Sequence, residues 1–189
     1  DHLGMDLCGA TLGILGMGRI GRAVARRAAG FRMRVLYTNR SGRHFPPDHA
    51  VPQDPATAPR RVSLDALLRE SEVLSIHVPL TASTNRLIGA KELARMKPTS
   101  ILINTARGKV VDEAALVEAL RNGTLAGAGL DVYEEEPALA PGLVERDDVV
   151  LLPHIGSASV GTRMQMAMTA AENILAGLEG RPVPNRVNT

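Results

Sequence analysis

The apolar positions of this chain gather into short unbroken runs rather than alternating with polar ones. Thr11–Leu15, Arg34–Tyr37, Glu72–Val78, Ser100–Asn104, Ala126–Val132 and Val149–Leu152 each read as a strand. Unbroken runs of this kind mark strands buried on both faces, as in a parallel sheet. Between them lie segments with helical character: Arg22–Ala29, Leu64–Glu70, Lys91–Met96, Asp112–Asn122 and Val160–Leu178. Ser63 is placed to cap the second of these, Gly30 and Gly123 to end the first and fourth, and Pro98 to stop the third. The stretch 41–61, rich in Pro, Asp and Ala, reads as a surface excursion with at most a short edge strand. Gly180, Pro182 and Pro184 break up the tail. Strand and helix alternate from start to finish, so the expected fold is α/β, a doubly wound parallel sheet of about six or seven strands.

The first strand runs straight into Gly16-Met17-Gly18-Arg19-Ile20-Gly21, followed by a helix and a second strand. This is the spacing of the dinucleotide-binding turn of a Rossmann fold. Gly16 permits the tight turn, Gly18 lets a pyrophosphate approach the backbone, and Gly21 lets helix and strand pack closely. The hexapeptide alone is a weak signal; its setting between strand and helix strengthens it. The expected organisation is one dinucleotide-binding domain over 1–189, with 1–10 an incoming linker and 179–189 a tail. At the end of the second strand, NAD sites usually place an acid on the ribose 2′-hydroxyl. Here stand Asn39, Arg40 and Ser41. A carboxylate would repel a 2′-phosphate, whereas Arg40 can pair with one. The expected cofactor is therefore NADP(H) in preference to NAD(H); the bland alternative is that Arg40 is a solvated turn residue.

Four polar clusters follow later strands: His77-Val78-Pro79, Asn104-Thr105-Ala106-Arg107, Leu130-Asp131-Val132, and Pro153-His154-Ile155-Gly156. In open α/β sheets, ligands bind beyond the carboxyl ends of the strands, so residues distant in sequence can converge there. Oxidising or reducing a small hydroxy acid calls for a cation on the substrate carboxylate, a group near neutral pKa to exchange the hydroxyl proton, and an acid to orient that group. Arg107, His154 and Glu136 supply this set. Singly, each has a plainer reading as a surface charge, a cap or part of an acidic loop.

Composition narrows the class without naming it. The chain has 189 residues, of which 44% are apolar but only 2% aromatic, so the core is expected to be aliphatic. Net charge is +2 and the basic residues form no block, which argues against a nucleic-acid partner. No run approaches the ~18 apolar residues of a membrane helix. The lone cysteine, Cys8, forms no internal disulfide, and a cytoplasmic setting is expected. The start, Asp1-His2-Leu3-Gly4, is neither a signal peptide nor an initiator Met, so the chain reads as a piece of a longer protein.

From about Leu7 to Asn188 the chain resembles the nucleotide-binding domain of the D-isomer-specific 2-hydroxyacid dehydrogenases. The matching stretches are GILGMGRIG (13–21), HVPLTASTNRLI (77–88), MKPTSILINTARGKVVDEAALVEAL (96–120), AGAGLDVYEEEP (126–137) and LLPHIGSAS (151–159). The resemblance implies hydride transfer between a nicotinamide and a small 2-hydroxy or 2-keto acid, with Arg107, Glu136 and His154 catalytic. It places Arg19, Ile20, Val78, Pro79, Thr105, Ala106, Asp131 and Gly156 at the cofactor, together with Arg107 and His154. Formate dehydrogenases of this superfamily carry Gln where Glu136 stands, which argues against that activity. Tyr37–Ser41 is most similar to the glyoxylate and hydroxypyruvate reductase branch. The family's substrate domain is absent from the sequence. The resemblance also implies a homodimer, and it leaves two rivals: a dinucleotide-sensing corepressor, and a truncated module that binds cofactor without turnover.

Overall fold

The computed structural model describes residues 4–40 and 58–187. The first compact unit, Asp1–His154, begins with β1 (Thr11–Leu15), the glycine turn, α1 (Arg19–Ala28) and β2 (Arg34–Thr38). Next come β3 (Arg60–Arg61), α2 (Leu64–Glu70), β4 (Val73–Ile76), α3 (Ala90–Leu93) and β5 (Ile101–Asn104). The unit closes with α4 (Glu113–Arg121), β6 (Gly127–Leu130) and β7 (Val149–Leu151). The strands form one sheet in the order β3-β2-β1-β4-β5-β6-β7, every neighbouring pair parallel. The expected doubly wound sheet is thus observed. Because all strands run the same way, their carboxyl ends share one edge, and the order reverses between β1 and β4.

Local chemistry explains most element boundaries. Ser63 Oγ accepts the Ala66 N–H and starts α2, and Asp112 Oδ1 does the same for Ala115 at α4. Gly123 takes a left-handed backbone (φ +67°) just past α4. Several boundaries differ from expectation, among them β6, which is Gly127–Leu130 rather than Ala126–Val132. Helix α1 starts at Arg19, not Arg22, because Gly18 already stands at its N-cap; Arg19 and Ile20 are exposed and lie off the buried face of the helix. Helix α3 is shorter than expected and begins at Ala90, where Glu92 Oε2 accepts the Gly89 N–H. Strand β4 is four residues, although ladder-like bonds extend it at both ends: Glu72 N–H to Thr11 O and His77 N–H to Leu15 O.

Two apolar clusters form the core. The smaller joins β1 and β2 to α1 through Ile14, Ala25, Ala28 and Val35; the larger joins β4–β6 to α2–α4 through Leu67, Leu68, Leu74, Ile76, Leu102 and Leu116. Each fully buried Leu or Ile contributes about 1.5–3 kcal/mol. The core is not wholly aliphatic, since both tyrosines, Tyr37 and Tyr133, are buried in it. Burial on both faces also fails at one end of the sheet. In β5 buried and half-buried positions alternate, and Val150 in β7 is exposed. Strand β7 is the last of the sheet, and Ile101, Ile103 and Val150 face a cleft of about 430 Å³.

A second compact unit, Ile155–Thr189, holds α5 (Val160–Leu178), capped where Ser159 Oγ accepts the Thr162 N–H. Among the described residues no helix is long and apolar enough to cross a membrane.

Candidate cofactor and active site

The glycine turn sits where β1 and β4 part. Gly16 has φ +102°, which an L side chain rarely adopts, and a Cβ there would lie 2.8 Å from the His77 carbonyl. A Cβ at Gly21 would overlap the Gly16 carbonyl oxygen, so turn and helix pack backbone to backbone. At Gly18, by contrast, nothing lies within 4 Å of the position a Cβ would take. Helix α1 has no side-chain cap and no acid in its first turn. A glycine facing open space beside an uncapped helix N-terminus fits a pyrophosphate, which needs close backbone approach and free N–H donors.

Gly16, Gly18, Asn39, Arg40, Val78 and Pro79 line one cleft of about 270 Å³, with Met17, His77, Thr81 and Thr84. Arg40 is exposed on its rim and donates from Nη1 to Ser83 Oγ at 3.3 Å. Among the described residues no acid lines this cleft. Arg19 and Ile20 stand exposed on the first turn of α1, and Gly21 is buried beneath them. Ser41 lies outside the described residues. His77 closes the floor, its Nε2 2.9 Å from Ser75 Oγ, and burial pushes its imidazole below the usual histidine range.

A second cleft, of about 340 Å³, opens beyond β6 and β7 and contains Glu136 and His154. His154 Nδ1 and Glu136 Oε2 are 2.8 Å apart. Glu136 Oε1 accepts the Tyr133 N–H at 3.0 Å, and the Tyr133 hydroxyl donates to Leu152 O at 2.7 Å. The His154 bond and then the Tyr133 N–H hold the Glu136 carboxyl below the usual range, and the Arg107 cation adds to this. Glu136 is therefore ionised at neutral pH and within electrostatic reach of Arg107. His154 itself sits on left-handed backbone (φ +55°), uncommon outside glycine and tolerated best by Asn, Asp and His.

The loop after β5 is held by a residue that sequence reasoning gave no role. Asn104, 1% exposed, donates from Nδ2 to Arg107 O and accepts the Ala106 N–H on Oδ1. Its one signal was a polar residue closing an apolar run. Tyr133 was missed as well, although it is one of only two tyrosines. Thr105 and the buried Asp131 line the cleft over β5–β7. Gly156 lies in the second unit. The structure therefore gathers the candidate residues of the first unit along one sheet edge, with Glu136 and His154 in direct contact.

Known proteins show the same arrangement of sequence and fold. The family described as D-isomer specific 2-hydroxyacid dehydrogenase, NAD binding domain, matches residues 1–156. A glyoxylate reductase of Korarchaeum cryptofilum is 51% identical over 189 residues, covering 98% of this chain and 54% of the relative. A crystal structure of a glyoxylate reductase from Paecilomyes thermophila superposes with a TM-score of 0.88 at 45% identity, over 98% of this chain and 54% of that one. An NADPH-dependent glyoxylate/hydroxypyruvate reductase from Sinorhizobium meliloti, in complex with NADP and malonate, superposes with a TM-score of 0.80 at 41% identity, over 89% and 50% of the two chains. The chain spans about half the length of the curated relatives it matches.

Proposed function

The chain belongs to the D-isomer-specific 2-hydroxyacid dehydrogenase family through its NAD-binding domain, and on that premise we propose that the full-length protein reduces a small 2-keto acid of the glyoxylate or hydroxypyruvate kind, with NADPH preferred over NADH. The observation that carries this reading is the contact between His154 Nδ1 and Glu136 within electrostatic reach of the Arg107 cation.

When bound, the dinucleotide supplies the hydride. Arg107 pairs with the substrate carboxylate and presents its planar fork beside the carbonyl. With Nδ1 turned to Glu136, His154 Nε2 is the nitrogen that gives a proton to the carbonyl oxygen. Glu136 stays ionised and accepts the Nδ1 proton, which fixes the orientation of the ring. Gly16, Gly18 and the open end of α1 receive the pyrophosphate, while Val78 and Pro79 form a wall of the same cleft. Asn39 and Arg40 stand where an acid would repel a 2′-phosphate. The Sinorhizobium meliloti relative, which is NADPH-dependent, supports this preference.

The test is a steady-state assay of the full-length protein with glyoxylate and hydroxypyruvate, joined to fluorescence titrations with both cofactors. NADPH is expected to bind roughly tenfold more tightly than NADH, the scale of one charge-assisted contact, and Asn39→Asp to shift the preference toward NADH. Equal affinities for the wild type would remove the cofactor claim, and absence of turnover with either acid the substrate claim. We also propose a homodimer, on family likeness alone; a monomer mass by light scattering across micromolar concentrations would overturn it.

A further inference from the structure

The turn that carries Glu136 is bracketed by a buried carboxylate that the mechanism does not use. Glu113, the first residue of α4, is only 4% exposed. Its Oε1 accepts the Glu134 N–H at 2.7 Å, and the nearby Ala140 N–H also favours its charged form. These two donors lie on either side of Glu136. Asp112 already caps α4, so Glu113 is not needed for that task. Burial pushes its carboxyl above the usual range, against the pull of the two N–H donors. A buried acid is unfavourable unless its oxygens are used, and a group that merely filled space would be apolar.

The turn is fixed from other sides as well. A Cβ on Gly108 would overlap the Tyr133 carbonyl, so the two backbones are in contact there. Arg86 closes the outside, donating from Nε to Glu134 Oε1 at 3.0 Å. We propose that Glu113 is a positioning residue for catalysis: its buried carboxylate accepts the Glu134 N–H, with the Ala140 N–H near it, and so holds the turn in the shape that brings Glu136 onto His154. The inference rests on the acid–base reading of Glu136 and His154 given above.

The test uses the full-length enzyme with saturating NADPH and follows the pH dependence of kcat/KM for keto-acid reduction. In Glu113→Gln the amide keeps one acceptor, while its NH2 opposes the other donor. The expected result is a loss of about tenfold at neutral pH, within the range for coupled neighbours, and a limb moved to lower pH in the same direction as in Glu136→Gln. NADPH affinity is expected to stay unchanged. The double variant carries the decisive reading: if Glu113 acts through Glu136, its limb coincides with that of Glu136→Gln alone. Should Glu113→Gln fail to fold, Glu113→Asp keeps the charge but withdraws it from the turn, and the same limb shift is expected. A limb that stays in place when Glu113 is changed, while Glu136→Gln moves it, overturns this proposal and leaves the acid–base reading standing. Shifts that add in the double variant overturn it too, because Glu113 then acts on His154 directly as a charge. If neither variant moves the limb, the acid–base reading itself is wrong.

Discussion

The two edges of the sheet treat their polar groups in opposite ways. At the amino ends of the strands, polar groups are used on one another. Glu72 Oε2 accepts the Thr11 N–H at 2.6 Å and also pairs with Lys97, while Arg34 Nη2 donates to Thr11 Oγ1 at 2.7 Å. Ser100 Oγ donates to Ser71 O, and Arg146 grips Asp148 at the start of β7. At the carboxyl ends, Arg107 is exposed, His154 and Glu136 are half-exposed, and Gly18 faces open space. One edge closes the structure and the other presents groups to a ligand. Stability and function should therefore be separable by edge.

The largest expected effect breaks function alone. His154→Asn in the full-length enzyme, where Asn tolerates the left-handed backbone, is expected to lower kcat by about a hundredfold or more, the scale of a lost general acid. The thermal midpoint should hold, and near-normal turnover would sink the assignment of His154. The converse variant is Glu72→Ala at the amino edge. It leaves the Thr11 N–H without its acceptor and Lys97 with only the Glu70 carbonyl, so a loss of about 1–3 kcal/mol is expected, with the thermal midpoint falling by about 2–4 °C for each kcal/mol and kcat unaffected. A drop in kcat without a drop in midpoint would dissolve the division between the edges.

The smallest effect is the order in which acid weakens them. His77, at the carboxyl edge, is held below 6.5 by burial. The unfolded chain therefore binds a proton that the folded chain refuses, and stability falls as pH drops through 6.5 toward the lower folded value. At the amino edge, burial pushes Glu72 upward, but Lys97 and the Thr11 N–H outweigh it, and Arg146 lowers Asp148. Their stabilisation is present above the ordinary values of 4.5 and 3.8 and is lost as pH falls through the folded ones. Urea midpoints measured against pH should show two descents, and His77→Gln should remove only the first.

The alternation of strand and helix was legible because interior parallel strands must be apolar on both faces, and the cap at Ser63 because few residue types can satisfy open helix N–H groups. Strand β3 was legible only as an edge of uncertain extent: Arg60 and Arg61 carry no apolar pattern, and their pairing with β2 alone defines them. The pairing of Glu136 with His154 could be argued from chemistry, since an imidazole at a strand end calls for an acid. Glu113 could not, because in sequence it reads as one more acid at the start of a helix, and only packing shows it buried. Asn104 eluded assignment for a related reason: both its partners belong to its own loop, a matter of local shape that residue type does not encode.

Strand β3 joins the sheet through two residues, while β1 is flanked by β2 and β4 along most of its length. The flank beyond β2 is therefore where amide protons exchange through local opening, whereas those of β1 and β4 wait for the sheet to come apart. Asn39 and Arg40 hang from the end of β2, on that loosely fastened side. A ligand gripping Arg40 from the cleft would slow exchange along β2 and β3 first. Discrimination between the two dinucleotides would then be written in the breathing of the sheet's margin, at a distance from the atoms that carry out the reaction.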